Sequence, residues 1–201
     1  IAPGVAVLCF ATMTDHPALP PSDEPAPIVF HDQAFMPMAD ARYDVQDRGM
    51  LFADGLYEVI RFDHGRAFRI DDHLARMSRG LEALRFPPIE PGMLKDTVYR
   101  LLEHNQLEHA RVYLQITRGP AARNFVIPPP EATRPIITML AFARPAGTID
   151  QPLHTGSAIV VEDLRWHRCQ IKTTMLLPAT LAKSQARQAG ADEAIFLRHK
   201  P

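Results

Sequence analysis

Hydrophobic and polar positions change rhythm several times along the chain, and each rhythm predicts an element. Residues 1–27 carry six prolines and no sustained period, so "HPALPPSDEPAP" reads as an irregular tail, with order beginning near "IVF" at 28–30. "GLYEVIRFDHGRAFRI" (55–70) holds two β-rich runs around Asp63-His64-Gly65, a hairpin signal with Gly65 able to take positive φ. Asp71 or Asp72 is then expected to cap a helix whose apolar stripe is Leu74, Met77, Leu81 and Leu84, with Pro87 and Pro88 ending it. A second helix, from about Pro91 to Gln106, gathers Leu94, Val98, Leu101 and Leu102 on one face. "ARVYLQITRG" (110–119) alternates as a half-buried strand, with Val112, Leu114 and Ile116 on one side and Tyr113, Gln115 and Thr117 on the other. A Pro-rich loop (120–135) separates it from "IITMLAFA", a fully apolar strand.

"RPAGTIDQP" (144–152) breaks the pattern and marks a linker. Beyond it come a strand, "SAIVVE" (157–162), a helix opening near Thr173–Pro178, and a strand, "EAIFLR" (193–198). Pro178 suits the first turn of that helix and Gly190 the position just past its end. The expected organisation is an irregular tail (1–27), a small N-terminal α+β domain (28–147), a linker (148–152) and the beginning of a larger α/β domain (153–201). Two strands and a helix are too little to bury a core of their own, and 193–198 would stand as an apolar edge. Ile at residue 1 and a strand-like run close to the last residue read as marks of a longer reading frame.

Composition narrows the class. At 46% hydrophobic and 22% charged residues the chain has the make-up of an ordinary globular protein. A net charge of −1 supplies no field to recruit nucleic acid or an anionic membrane, and no apolar run reaches transmembrane length. The two cysteines, Cys9 and Cys169, lie far apart and outside any metal-ligand spacing. Reduced thiols, a cytoplasmic location and no metal site are the expectation.

Among the polar residues, Lys172 in "CQIKTTMLL" (169–177) is the most suggestive, a lone charge between Ile171 and Met175-Leu176-Leu177. Apolar company disfavours the charged form of an amine, and a neutral amine attacks carbonyls to form a Schiff base. The plainer reading is a lysine that lays its stem on apolar surface. Tyr57 reads equally as a strand aromatic, Arg76 as a solvated helix arginine and Arg123 as a loop charge.

Four blocks, "DRGMLFADGLYEVIRF" (47–62), "HLARMSRGLEALRF" (73–86), "RVYLQITRG" (111–119) and "RWHRCQIKTTMLLPATLAKSQARQAGADEAIFLR" (165–198), occur in the order and spacing of the class IV, fold-type IV pyridoxal-phosphate aminotransferases. Within that family the chain most resembles the D-amino-acid transaminases. Branched-chain aminotransferases and aminodeoxychorismate lyases share the fold. The resemblance implies pyridoxal 5'-phosphate as cofactor, amino acids and 2-oxo acids as substrates, and a homodimer. It gives Lys172 the Schiff-base and proton-shuttling role, Arg76 the cofactor phosphate, and Tyr57 the substrate pocket. Arg123 would hold the substrate carboxylate from the partner subunit. The D-amino-acid enzymes have Arg-x-His in that loop, where this chain reads Arg123-Asn124-Phe125. Glu58, on the face opposite Tyr57, is left out of the site, and Arg165, Arg168 and Cys169 are taken as structural. The family's acidic partner of the pyridine nitrogen would fall after Pro201, which makes an inactive fragment the reading of another class.

Overall fold

The computed structural model describes residues 24–146 and 155–198. Cys9, most of the 1–27 tail and the 148–152 linker lie outside the described residues. The chain divides into two compact units, one holding residues 24–146 together with Gln170–Thr174, the other holding 155–169 and 175–198.

The first unit is built on one six-stranded sheet in the order β2-β1-β6-β5-β3-β4. Its strands are β1 (Ile28–His31), β2 (Ala34–Pro37), β3 (Gly55–Asp63), β4 (Arg66–Ala67), β5 (Ala110–Thr117) and β6 (Ile136–Ala143), paired antiparallel throughout. Three helices accompany it: α1 (Arg48–Phe52), α2 (Ile70–Ala83) and α3 (Pro91–His104). In the β3–β4 hairpin both His64 (φ 49°) and Gly65 (φ 69°) take the left-handed conformation that a tight two-residue turn needs. The second run of that hairpin is only two residues long, because Arg69 (φ 53°) turns the chain directly into α2.

Arg69, not Asp71 or Asp72, is therefore the N-cap of α2. The two aspartates lie inside the first turn, where a carboxylate complements the positive end of the helix dipole. The helix also stops before the prolines. Arg85 (φ 57°) sits just past its end, and the Phe86 amide donates back to the Leu81 carbonyl at 2.9 Å, a Schellman closure. α3 ends at His104, since the Asn105 side chain turns away to bond both the amide and the carbonyl of Ile28. The β1–β2 hairpin and α1 had no clear sequence signal.

Register assigns the two faces of the sheet. Leu56, Glu58, Ile60 and Phe62 of β3 stand opposite Ile116, Leu114, Val112 and Ala110 of β5, all buried on the helix side. That layer, with Leu74, Met77, Leu81, Leu94, Val98, Leu101 and Leu102, forms the core. The other face carries Tyr57, Val59, Tyr113, Gln115 and Thr138. At one end of the sheet Asp54 accepts hydrogen bonds from two buried arginines, Arg48 at 2.8 Å and Arg118 at 2.7 Å, and Arg118 stacks over Phe86.

The second unit is a βαβ arrangement: β7 (Ala158–Glu162) and β8 (Glu193–Leu197) pair in parallel around α4 (Leu177–Gln188). Pro178 lies in the first turn of α4, and Gly190 (φ 74°) follows its last turn. A small core of Ile159, Ala186 and Ala191 lies between helix and strands, while Val160, Ile195 and Leu197 remain exposed. No helix among the described residues is long and apolar enough to cross a membrane.

Candidate active site

Lys172 is carried by a short segment that extends the sheet at the edge of β3. Thr173 bridges Leu56 in antiparallel register, the Tyr57 amide donates to the Lys172 carbonyl at 3.0 Å, and the Thr174 amide donates to the Gly55 carbonyl at 3.0 Å. The same register sets Lys172 opposite Tyr57 on the open face. Ile171 is buried on the helix side, where α2 offers Gly80; a Cβ there would lie 3.1 Å from Leu56 and 3.7 Å from Ile171. Lys172 Nζ lies 3.9 Å from the centroid of the Tyr57 ring. Ile171 beside Lys172 is buried, while Met175 is 42% and Leu177 68% exposed. The Tyr57 face beneath Lys172 attracts a cation.

Pairing then carries a single row of side chains across the sheet. His31 of β1 stands opposite Thr138 of β6, Thr138 opposite Gln115 of β5, and Gln115 opposite Tyr57 of β3. Tyr113 stacks on Tyr57 with ring centroids 5.5 Å apart. Burial, with help from neighbouring Tyr43 and Tyr57, pushes the Tyr113 phenol up to about 12. Beside the row, Tyr43, Asp47, Gln115, Thr117 and Thr174 border a recess of about 230 Å³.

Arg76 sits on the other side of β3, held by the residue that follows Tyr57. Its Nε and Nη2 donate to the Glu58 carboxylate at 2.6 and 2.5 Å, and His73 Nδ1 approaches the same carboxylate at 2.8 Å. Burial would raise the Glu58 carboxyl, but the hydrogen bonds from Arg76 and His73 outweigh it and hold it below the usual range. The reciprocal bond to Glu58 raises the Arg76 guanidinium. Arg69, His73, Arg76 and Arg79 line a recess of about 420 Å³. Glu58, set aside from the site on alternation alone, is thus the anchor of one of its arginines. Sequence carried a signal for it, an acidic residue in a strand position whose neighbours on that face are all apolar.

Arg123 does not join this group. It lies exposed on the loop after β5, over the Phe52 ring at 5.7 Å, and among the described residues no hydrogen bond or ring contact links it to Lys172 or Tyr57. Phe125 beside it is 85% exposed and meets Phe52 edge-on. Arg165 pairs with Asp163, which its hydrogen bond holds at about 2, and Cys169 Sγ donates to the Trp166 carbonyl, so both serve the second unit. No group of three His, Cys, Asp or Glu residues able to hold a metal occurs among the described residues.

The site region is an antiparallel sheet backed by two helices, with a lysine paired at its edge to a tyrosine. The family model of amino-transferase class IV matches residues 55–200, and the chain belongs to that family. It is 37% identical over 171 residues to a D-alanine aminotransferase of Staphylococcus haemolyticus, covering 83% of this chain and 59% of that one. With a D-alanine aminotransferase of Listeria monocytogenes it shares 37% identity over 161 residues, 79% of this chain and 55% of the relative. The chain thus spans somewhat over half the length of these relatives. Among solved structures, the branched-chain amino acid aminotransferase of Escherichia coli superposes with a TM-score of 0.72 at 20% identity, covering 86% of this chain and 60% of that one. The branched-chain aminotransferase of Thermoproteus uzoniensis with norvaline gives 0.67 at 20% identity, over 86% and 60%. At such identity these structures bear on the fold alone.

Proposed function

We propose that the protein is a pyridoxal-phosphate-dependent transaminase that moves an amino group between a D-amino acid and a 2-oxo acid. The observation that carries this reading is Lys172, fixed by strand register over the Tyr57 ring at 3.9 Å. The D-alanine aminotransferase relatives support the substrate class.

The residues present suit the cofactor. Arg69, Arg76 and Arg79 line one recess with Asp72 and His73, and arginine is a donor suited to a phosphate. Arg76 keeps Nη1 outside its clamp on Glu58. In this reading Arg76 holds the phosphate and Lys172 holds the cofactor covalently. When bound, the cofactor supplies a ring that withdraws electrons from the substrate α-carbon. With the substrate's amino group in its place on the cofactor, Lys172 Nζ would be free to take the proton from the substrate α-carbon, the work of a general base held in place. Tyr57 bounds the pocket under Lys172, and Arg123, from a second copy of the chain in a homodimer, grips the substrate carboxylate.

Borohydride reduction of the protein with pyridoxal 5'-phosphate tests the assignment. One pyridoxyl group should appear on the peptide carrying Lys172, and none in Lys172→Ala. A label spread over surface lysines would sink the reading. The assembled protein should also exchange amino groups between D-alanine and 2-oxoglutarate.

A further inference from the structure

Lys172 is held by a very short strand. Residues 170–174 belong with the first unit, while the residues before and after them belong with the second. Two backbone hydrogen bonds join the segment to β3, from the Tyr57 amide to the Lys172 carbonyl and from the Thr174 amide to the Gly55 carbonyl. So short a ladder does not fix its own register. A slip of one residue is barred, because it would turn Lys172 into the buried layer of Ile171 and Leu56. A slip of two keeps every side chain on its face, yet carries Lys172 roughly 7 Å along β3 and off the Tyr57 ring. Whatever forbids that slip must be a contact peculiar to one residue. On the open face the segment has one: Thr174 Oγ1 donates to the Ala53 carbonyl at 3.1 Å, with the Gly55 carbonyl further off at 3.5 Å. Ala53 follows α1 in the left-handed conformation (φ 54°), and its carbonyl also accepts the Gly55 amide at 2.9 Å. The next residue, Asp54, is clamped by Arg48 and Arg118, and its carbonyl accepts the Arg118 amide at 3.1 Å. The acceptor of the Thr174 hydroxyl thus belongs to a corner that two buried guanidiniums hold still.

We infer that Thr174 is a positioning residue for Lys172: its hydroxyl, bonded to the Ala53 carbonyl, pins the register of the short strand and so keeps Nζ over the Tyr57 ring. Ile171 packs near Gly80 on the helix side, but apolar packing is non-directional and a hydrogen bond is not. The inference deepens the transaminase reading and rests on it for the work that Lys172 does. A general base must lie within hydrogen-bond reach of the proton it takes, and a misplacement of about 1 Å is already costly. A contact two residues away that sets the register therefore governs the reaction without touching it. The buried Arg48–Asp54–Arg118 cluster gains a task as well, since it steadies the carbonyl to which Thr174 is bonded.

The test uses the whole chain, labelled with 13C at the lysine ε-carbons and free of cofactor. The ε-protons of Lys172, assigned by their loss in Lys172→Ala, lie over an aromatic face and should resonate upfield of those of the other lysines. Thr174→Val keeps the shape and removes the donor. It should move that signal back towards the other lysines and speed hydrogen exchange of the Tyr57 amide about tenfold, with the Leu114 amide of β5 unchanged. Thr174→Ser keeps the hydroxyl and should restore both. A wild-type signal with no upfield shift, a Thr174→Val variant that keeps the wild-type shift and exchange, or a Thr174→Ser variant that behaves like Thr174→Val overturns the inference. Exchange that rises equally at Leu114 overturns it too, since Thr174 would then serve stability in general. Should Thr174→Val fail to fold, the comparison of Thr174→Ala with Thr174→Ser decides it. Failure of the transaminase reading looks different: Lys172 takes no pyridoxyl label while its upfield signal and the response to Thr174→Val stay as described.

Discussion

Glu58 and Arg76 form a two-pronged ion pair at 2.6 and 2.5 Å, and Glu58 is the immediate neighbour of the tyrosine that carries Lys172. Consecutive residues of one strand thus support the two cationic groups of the candidate site from opposite faces. The pair has a pH signature. A free glutamate carboxyl titrates near 4.5, and in the folded chain the value is lower. The stabilisation is therefore complete above about 4.5 and lost as the pH falls through the folded value. Thermal melts of the wild type should lose stability across that acid window, and Glu58→Gln should flatten the slope. Identical slopes would mean that the pair contributes nothing.

Arg76→Ala should separate a phosphate role from a structural one. The affinity for pyridoxal 5'-phosphate is expected to drop at least about tenfold, while that for pyridoxal, which lacks the phosphate, changes little. Equal losses for both, measured by fluorescence titration, would assign Arg76 to structure. Arg76→Ala also strips a buried carboxylate of its main partner. Because the arginine is partly exposed, the stability cost should be about 2 kcal/mol, below the 3–5 kcal/mol of fully buried pairs.

Among the described residues, Asp54 is the one carboxylate paired with the buried guanidiniums of Arg48 and Arg118. Asp54→Ala leaves both cations buried without it and should cost about 3–5 kcal/mol, seen as a large drop in Tm. Arg118→Met, which removes one charge and keeps the stack on Phe86, should cost less. The reverse order would show that the Arg118 hydrogen bonds to the Leu84 and Arg85 carbonyls outweigh the loss of the carboxylate.

Arg123→Ala should raise KM for D-alanine by about tenfold to a hundredfold with a smaller change in kcat, the mark of a lost carboxylate contact. Phe125→His should lower KM for the same substrate by restoring a donor to the loop. No change in either variant would move the carboxylate contact elsewhere.

The helix periods of α2 and α3 and the alternation of β5 were legible because an apolar stripe repeats within one element. Their ends were less so. Arg69 and Arg85 adopt left-handed conformations that no residue preference announces, and they displace the cap expected at Asp71 or Asp72 and the stop expected at Pro87. Of the candidate site, Lys172, Tyr57 and Arg76 were named from motif; the structure sets Lys172 over Tyr57 and pairs Arg76 with Glu58. The part played by Glu58 was not: alternation says which face a side chain takes, not whether that face holds a partner for a charge.

The sequence by itself determined most of the elements, though not the β1–β2 hairpin or α1, and with them the family, since these follow from local periods and short motifs. Only the tertiary structure brought His31, Tyr43, Tyr57, Gln115, Thr138 and Lys172 together. They come from distant stretches, and what aligns all but Tyr43 is strand register, which is set by backbone hydrogen bonds between those stretches and leaves no period in the chain.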